Sequence, residues 1–137
     1  MNHWHARTVF FVSDAERSLH FYTMQLGCSL DWNYEHEGRP FVFQVSLNGF
    51  QLILNQVEDW TKTRAGHGRV FIGLDDDQVA GFQAHLDAHS IETTVFSWGE
   101  PTIVIHDPDG NELFFWLSEK EREKLRAEIS SEPKVPD

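Results

Sequence analysis

The sequence predicts an α+β fold made of two tandem β-α-β-β-β modules. Segments typical of strands and helices follow one another in the same order in both halves of the 137-residue chain. The turn residues of the two halves lie 61 positions apart (110−49, for example): Gly38, Pro40 and Gly49 correspond to Gly99, Pro101 and Gly110. Two copies of one supersecondary unit predict a pseudo-twofold pair, in which each copy buries one sheet face against its own helix.

The first module spans residues 5–56 and opens with a buried strand at 8–12. A helix follows, because Ser13 and Glu16 form the Ser-x-x-Glu pattern of a capping box. Apolar residues then recur at helical spacing, and Gly27 is the residue type that commonly ends a helix.

Three more strands complete this module, at 29–34, 41–47 and 50–54. We expect a loop at 35–40 and a two-residue hairpin at Asn48-Gly49, which sets Leu47 opposite Phe50 and Gln44 opposite Ile53. Strand alternation then assigns one set of residues to the helix side: Phe41, Phe43, Val45, Leu47, Phe50, Leu52 and Leu54. The opposite side carries Val42, Gln44, Ser46, Gln51, Ile53 and Asn55.

A polar linker at 57–68 leads to the second module, residues 69–118. Its first strand is predicted at 69–74, and the acidic residues 75–77 suit the start of a helix that buries Val79, Phe82 and Leu86. The remaining strands are predicted at 91–97, 101–105 and 111–117.

The closing turn of this module is His106 to Asn111. Pro108 fixes φ for a turn, and Asp109-Gly110 supplies the two positive-φ positions of a two-residue hairpin. The hairpin arithmetic then assigns five residues to the side away from the helix: Ile103, Ile105, Glu112, Phe114 and Trp116.

A second capping box at Ser118 and Glu121 begins an exposed C-terminal helix, residues 119–130, and a flexible tail follows at 131–137. Within the helix, oppositely charged residues three positions apart predict three ion pairs: Glu119–Arg122, Glu121–Lys124 and Glu123–Arg126.

Composition excludes several classes of function. The net charge of −11 argues against nucleic-acid binding, which requires clustered Lys and Arg. The same charge either keeps the protein soluble or attracts a cationic ligand. Cys28 is the single cysteine, and we find no apolar leader at 1–7 and no segment of membrane-span length. We therefore expect a cytoplasmic protein that has no internal disulfide and no nucleic-acid or membrane partner.

Several motifs occur in order: Val12-Ser13-Asp14 before the first helix, Phe21-Tyr22 and Leu26-Gly27 within it, and the closing sequence 107–111, Asp-Pro-Asp-Gly-Asn. Together with the paired modules they resemble the vicinal oxygen chelate superfamily, over residues 5–118. This superfamily includes glyoxalase I, extradiol dioxygenases, fosfomycin resistance enzymes and bleomycin resistance proteins. The segment Ser97-Trp98-Gly99 looks most like the bleomycin resistance branch. The resemblance implies a curved, mostly antiparallel sheet around a cavity, with the helices outside.

Metal-using members of the family hold one divalent ion with two ligands from each module, typically His and Glu. The resemblance carries these four positions onto Arg7, Ile53, Arg69 and Phe114. None of these side chains can bind a divalent cation, because guanidinium stays protonated and Ile and Phe have no donor atom. The family's usual metal machinery is therefore absent, and we do not expect an enzyme of that kind.

Two alternatives remain open at these positions. A displaced metal site would use His5, His67 and Glu112, whose donors suit zinc or iron, but the strands would have to slip to bring them together. The favoured explanation is that His5 belongs to the terminus and His67 to the linker. Arg7 and Arg69 hold equivalent places in the two modules. They either clamp a carboxylate or phosphate together, or each forms a structural ion pair with an acid such as Glu112.

The sequence thus predicts a metal-free protein that sequesters an aromatic or amphipathic small molecule in the crevice of a homodimer, akin to bleomycin resistance proteins. No catalytic residue and no cofactor are assigned. The ligand-binding residues are predicted to be Arg7, Gln44, Gln51, Ile53, Asn55, Arg69, Trp98, Phe114 and Trp116. The alternatives are a metal-dependent lyase, isomerase or dioxygenase with shifted ligands such as His5 and His67, and a dimeric module without a ligand. Whether drug resistance is the biological role is left open.

Overall fold

The structure is a computed structural model that describes residues 4–97 and 100–131. Its strands and α-helices, in chain order, are β1 (Thr8–Val12), α1 (Ala15–His20), β2 (Ser29–His36), β3 (Arg39–Leu47), β4 (Phe50–Gln56), β5 (Arg69–Gly73), α2 (Asp76–Ala88), β6 (Thr94–Ser97), β7 (Pro101–His106), β8 (Glu112–Trp116) and α3 (Glu119–Ser131). This order contains the β-α-β-β-β unit twice, which confirms the predicted α+β class. Gly99 and most of the predicted tail lie outside the described residues.

The strands form two four-stranded sheets, in the orders β1-β4-β3-β2 and β5-β8-β7-β6. The second order repeats the first with each strand number raised by four, as expected from an internal repeat. In the first sheet β1 runs parallel to β4, while the other neighbours are antiparallel. Among the described residues, no helix has both the length and the apolar character needed to cross a membrane.

Two compact units make up the chain. The described residues of the first unit are 4–70 and 106–113, and those of the second are 71–97, 100–105 and 114–131. The core of the first unit lies on one face of its sheet and includes Phe10, Val12, Val45, Leu52 and Leu54, all without exposed surface. The hairpin predicted at Asn48-Gly49 is confirmed, with Gln44 opposite Ile53 and both turn residues at positive φ.

The predicted loop at 35–40 is wrong. β2 and β3 extend to His36 and Arg39, and only Glu37 and Gly38 connect them, both at positive φ. Glutamate rarely adopts this conformation, so the residue types did not reveal the tight turn. The consequence is a longer hairpin than expected, in which β2 forms one edge of the first sheet.

Helix α1 begins one residue later than the capping box predicts. Asp14 is the N-cap, and its carboxylate accepts a hydrogen bond from the Arg17 amide at 3.2 Å. Ser13 instead donates through its amide to Asp109 at 3.1 Å. After His20 the chain continues as a π-helical turn at Phe21–Gln25, and Gly27 ends the helical segment at positive φ, as predicted.

The closing turn also differs from its prediction. Only Gly110 has positive φ, and the Asp107 amide donates to the Asn111 carbonyl at 2.9 Å, so three residues separate the paired positions instead of two. The shift by one residue brings His106 to the side of Glu112, with His106 Nε2 3.3 Å from Glu112 Oε2. The assignment of Ile103 and Ile105 to that side is therefore wrong.

The closing turn carries a buried polar cluster within the first unit. The Asp107 carboxylate accepts hydrogen bonds from the Tyr22 hydroxyl at 3.0 Å and from the Asn111 amide group at 2.9 Å. Asn111 also donates to the Phe11 carbonyl at 3.1 Å and accepts from the Gly68 amide at 2.8 Å. These bonds join the closing turn to the π-helical turn after α1, to β1 and to the segment before β5. The closing motif therefore has a structural role.

In the second unit α2 packs against its sheet through the face that the sequence predicts. Val79 and Leu86 are buried, and the rings of Phe82 and Phe115 lie 4.6 Å apart. β6 is shorter than predicted, since it begins at Thr94. The capping interaction before α3 is present, because the Glu121 amide donates to Ser118 Oγ at 3.4 Å.

Candidate functional site

The face of the first sheet that points away from α1 carries the candidate site, and we call it the open face of the first sheet. Its residues alternate along each strand with the buried core residues, and opposite partners share a face. They are Val9 and Phe11 of β1, Gln51, Ile53 and Asn55 of β4, Val42, Gln44 and Ser46 of β3, and Asp31, Trp32 and Tyr34 of β2. Arg7, just before β1, joins them through a hydrogen bond to Gln44.

A chain of hydrogen bonds crosses this face. Arg7 donates to Gln44 Oε1 at 2.8 Å, and Gln44 donates through its amide group to Asp31 Oδ2 at 2.9 Å. Ser46 Oγ donates to Asp31 Oδ1 at 2.8 Å. Gln44 is only 3% exposed, and both ends of its amide are satisfied, so its orientation is fixed.

Asp31 reaches this side of the sheet because the β2–β3 pairing is irregular. The register shifts between Leu30 and Trp32, which leaves Asp31 as the extra residue of a bulge. The hydrogen bonds from Gln44 and Ser46, followed by the charge of Arg7, lower the pKa of Asp31. The carboxylate is therefore ionised at neutral pH and presents a negative charge on an exposed surface.

Apolar surface lies beside this charge. Trp32 is 40% exposed, Tyr34 is 55% exposed and Val9 is 48% exposed, while Ile53 is half-buried. Exposed aromatic rings next to a fixed carboxylate offer stacking surface and a hydrogen-bond acceptor together. This combination suits a flat ligand that carries a positive group.

A second polar cluster in the first unit involves Arg69. Its Nε lies 2.7 Å from Glu112 Oε1, while His106 approaches the other oxygen of the same carboxylate. Of the two alternatives for the arginines, the ion pair with Glu112 is therefore the one found for Arg69. Arg7 contacts Gln44, as described above, and its charge lowers the pKa of Asp31.

The structure brings together some predicted ligand-binding residues. Arg7, Gln44, Gln51, Ile53 and Asn55 share the open face of the first sheet. Gln51 is exposed, and Asn55 donates to the Gln56 carbonyl at 3.0 Å.

The other predicted residues lie elsewhere. Phe114 and Trp116 belong to the second unit, where Phe114 is buried and Trp116 is half-buried. Trp98 lies outside the described residues. Asp31, Trp32 and Tyr34 are missing from the predicted set. Tyr34 follows Trp32 at strand spacing and could have been found, whereas the bulge at Asp31 has no local signal.

The side chains at the family's four metal positions do not fit a metal ion. Arg7 and Arg69 hold guanidinium groups bonded to Gln44 and Glu112, and Ile53 and Phe114 offer no lone pair. Among the described residues, no three His, Cys, Asp or Glu side chains are grouped in a way that could hold a metal ion. Of the alternative ligand set, His5 and His67 are exposed, and the Glu112 carboxylate is engaged by Arg69 and His106.

Comparison with known proteins agrees with this fold. The antibiotic binding protein TnmS3 from Streptomyces sp. CB03234 is 23% identical, with a TM-score of 0.62 over 85% of this chain and 98% of that chain. A bleomycin-binding protein from Streptomyces verticillus, complexed with copper(II)-bleomycin, is 18% identical, with a TM-score of 0.64 over 87% of this chain and 100% of that one. Lactoylglutathione lyase from Agrobacterium tumefaciens is 17% identical, with a TM-score of 0.58 over 83% and 93% of the two chains. At these identities the likeness is one of fold.

No curated protein matches the sequence. The family model described as Glyoxalase/Bleomycin resistance protein/Dioxygenase superfamily matches residues 4–115, which is well over half of the chain. This range includes the closing motif at 107–111 and both β-α-β-β-β units, apart from Trp116 at the end of β8. The chain therefore belongs to the glyoxalase/bleomycin resistance protein/dioxygenase superfamily.

Proposed function

We propose that this protein binds and sequesters an aromatic or amphipathic small molecule, and that it does so without a metal ion. The observation that carries the proposal is the open face of the first sheet, where exposed Trp32 and Tyr34 lie beside the hydrogen-bonded Asp31 carboxylate. Two proteins of the same fold, TnmS3 and the bleomycin-binding protein, are described as binding antibiotics, which supports the same kind of role here.

In this proposal, binding depends on stacking and burial. The rings of Trp32 and Tyr34 cover one side of a flat ligand, and burial of apolar surface provides most of the binding free energy. Asp31 accepts a hydrogen bond from a positively charged group of the ligand. Gln44, held from both sides by Arg7 and Asp31, keeps the carboxylate in place, so little conformational freedom is lost on binding.

We further propose that the ligand is cationic. Asp31 stays ionised at neutral pH, since its hydrogen bonds from Gln44 and Ser46 lower its pKa. The net charge of −11 raises the local concentration of cations around the whole protein. Of the two arginines that suggested an anion clamp, Arg69 pairs with Glu112, and Arg7 donates to Gln44 on the open face of the first sheet.

For the metal-dependent alternative, a lyase, isomerase or dioxygenase with shifted ligands, the described part of the chain offers no group of three His, Cys, Asp or Glu side chains that could hold the ion. Its four family positions hold side chains that cannot ligate a metal, as described above. We also propose that the protein is a homodimer in the cytoplasm, as the family resemblance implies. Light scattering coupled to gel filtration measures the mass in solution, and a value near the chain mass of 15.9 kDa would contradict the dimer.

Calorimetric titration tests the binding role. Copper(II)-bleomycin serves as the cationic aromatic probe and salicylate as the anionic one. We expect the cationic probe to bind more tightly, and Asp31→Asn to weaken its binding about tenfold through loss of a charge-assisted hydrogen bond. Trp32→Leu should weaken it by a similar factor.

Glu16→Gln is the matched control, because it removes the same charge from an exposed residue of α1, on the other side of the sheet. Its affinity should stay within about twofold of the wild type. Equal loss in Asp31→Asn and Glu16→Gln would reduce the effect to net charge and contradict the site. Stoichiometric zinc, iron, manganese or nickel in the purified protein, lost in His5→Ala, would contradict the metal-free role.

A further inference from the structure

Helix α3 is attached to the second unit by polar contacts. None of its described side chains, residues 119–129, is buried. The family model ends at residue 115, so α3 lies outside the part of the chain that the family shares. A helix without a fully buried side chain separates from its unit at lower cost in free energy than one whose side chains fill the core.

The most enclosed contact of α3 is made by Arg122. Its guanidinium carbon lies 4.2 Å from the ring centre of Trp116, and only 14% of its side chain is exposed. Its Nε donates to the Leu117 carbonyl at 3.1 Å. A guanidinium centred over an indole ring is the preferred geometry of a cation–π contact.

Trp116 lies on the side of the second sheet that faces away from α2. Phe115, its neighbour in β8, contacts Phe82 of α2, so alternation turns Trp116 to the opposite side. There its ring lies 5.7 Å from that of Phe71, which is 47% exposed. We call this side, which also carries the buried Phe114, the open face of the second sheet. Arg122 therefore covers an aromatic surface that a flat ligand could use.

Carboxylates complete the surroundings of Arg122. Its two terminal nitrogens lie 2.9 Å from Glu119 and 3.9 Å from Glu100. Arg126, one turn further along α3, also pairs with Glu100 and with Glu119. Glu119 belongs to α3, whereas Glu100 precedes β7 and would stay behind if the helix moved away.

The first unit shows a related arrangement at its own open face. The guanidinium carbon of Arg64 lies 5.7 Å from the ring centre of Phe11 and 5.7 Å from that of Trp60. Arg64 follows the last strand of the first module, as Arg122 follows the last strand of the second. In each module, the segment that follows the last strand thus places an arginine over an aromatic ring of the module's own sheet.

We propose that α3 is a displaceable cover, in which the Arg122 guanidinium fills a cation site formed by Trp116, Phe71 and Glu100. An aromatic cation bound at the open face of the second sheet takes the place of this guanidinium. Trp116 then stacks on the ligand's ring, and Glu100 pairs with its charge. The inference rests on the proposed function, since it treats the sheet face away from the helix as the ligand side. The cover lowers the apparent affinity for the aromatic cation, because the ligand can bind only during the fraction of time in which α3 leaves the site open.

Titration with benzamidine, an aromatic amidinium, tests the cover. Arg122→Met removes the guanidinium that lies over Trp116 and keeps an apolar stem. We therefore expect benzamidine to bind about tenfold more tightly, as for a cover closed about nine-tenths of the time. Lys124→Met is the matched control. It removes one positive charge from the same helix, where Lys124 pairs with Glu121 at 3.3 Å and not with Glu100 or Glu119. Its affinity should stay within about twofold of the wild type.

Hydrogen exchange of the wild-type protein provides a second readout. Saturating benzamidine should speed the exchange of the α3 amides, because the ligand displaces the helix, whereas a ligand bound elsewhere would leave them unchanged or slower. Three results would each refute the proposal that α3 is a displaceable cover. They are equal or weaker benzamidine binding by Arg122→Met, no benzamidine binding by either protein, and slower exchange of the α3 amides. The proposed function fails separately, if Asp31→Asn leaves copper(II)-bleomycin binding unchanged.

Discussion

Replacing Asn111 with alanine should strongly destabilise the protein. The Asn111 side chain is fully buried and makes three hydrogen bonds at 2.8–3.1 Å, to the Gly68 amide, the Phe11 carbonyl and the Asp107 carboxylate. Alanine can make none of them. The Phe11 carbonyl keeps a second donor, the Gly66 amide at 3.3 Å, and Asp107 keeps Tyr22. The Gly68 amide is left without the Asn111 oxygen.

The magnitude follows from these partners. An amide that loses its acceptor in a partly buried position costs about 1–3 kcal/mol, and each of the two other lost bonds costs about 1 kcal/mol. Together they give a loss of about 3 kcal/mol in the free energy of unfolding, once water enters part of the vacated space. Small domains are stable by about 5–15 kcal/mol, so this loss is a large share of the total.

Urea denaturation followed by far-ultraviolet circular dichroism measures the effect. With a slope of about 2 kcal/mol per molar urea, the midpoint of Asn111→Ala should fall by about 1.5 M. Asn33→Ala is the control, since Asn33 is an exposed residue of β2 and its loss should change stability by less than about 0.5 kcal/mol. A fall of less than about 0.5 M for Asn111→Ala, at an unchanged slope, would refute the structural role assigned to the closing motif.

Three further predictions concern stability and reactivity. Burial raises the pKa of the Asp107 carboxyl above its ordinary 3.8, so the protonated carboxyl stabilises the folded protein fully below pH 3.8, and this stabilisation is lost as the pH rises through the folded-state pKa. The urea midpoint of the wild type should therefore fall relative to that of Asp107→Asn over this pH range. A difference between the two midpoints that stays constant with pH would contradict the prediction. Gly66→Ala should lower the free energy of unfolding by about 2 kcal/mol or more, because φ at Gly66 is +82° and a Cβ there would lie 2.1 Å from the Asp109 carbonyl oxygen. Gly81→Ala, in α2 with open space around it, should raise the free energy of unfolding by about 0.5–1 kcal/mol in the same assay. Equal effects of the two substitutions would refute the argument. Burial raises the pKa of the Cys28 thiol to about 12, so a thiol reagent should label it only on unfolding, and rapid labelling of the native protein would be the contrary result.

The sequence by itself determined the features that depend on neighbouring residues. The hairpin at Asn48-Gly49 was predicted with its register, because these two residue types adopt positive φ at low cost and two turn residues fix the pairing. The buried face of α2 was predicted from the spacing of Val79 and Leu86. The 61-residue repeat of the turn residues predicted the two modules, because repeated local patterns build the same unit twice.

Local patterns were less informative where a turn used an unusual residue or an extra position. Glu37 takes positive φ at a cost that its residue type does not announce. At the closing turn, Pro108-Asp109-Gly110 fits a hairpin of two residues or of three, and the hydrogen bond between Asp107 and Asn111 selects the longer one. One residue of difference reversed the assigned sides of β7.

Tertiary structure alone decided what the charged residues do. Arg69 could have bound an anionic ligand, but it pairs with Glu112, 43 positions away in the chain. Asp31 joins Gln44 because of a bulge, and Arg122 lies on Trp116 because α3 turns back to its sheet. A long charged side chain can reach several partners at similar cost, so its choice depends on which segments the fold brings together and not on its neighbours in sequence.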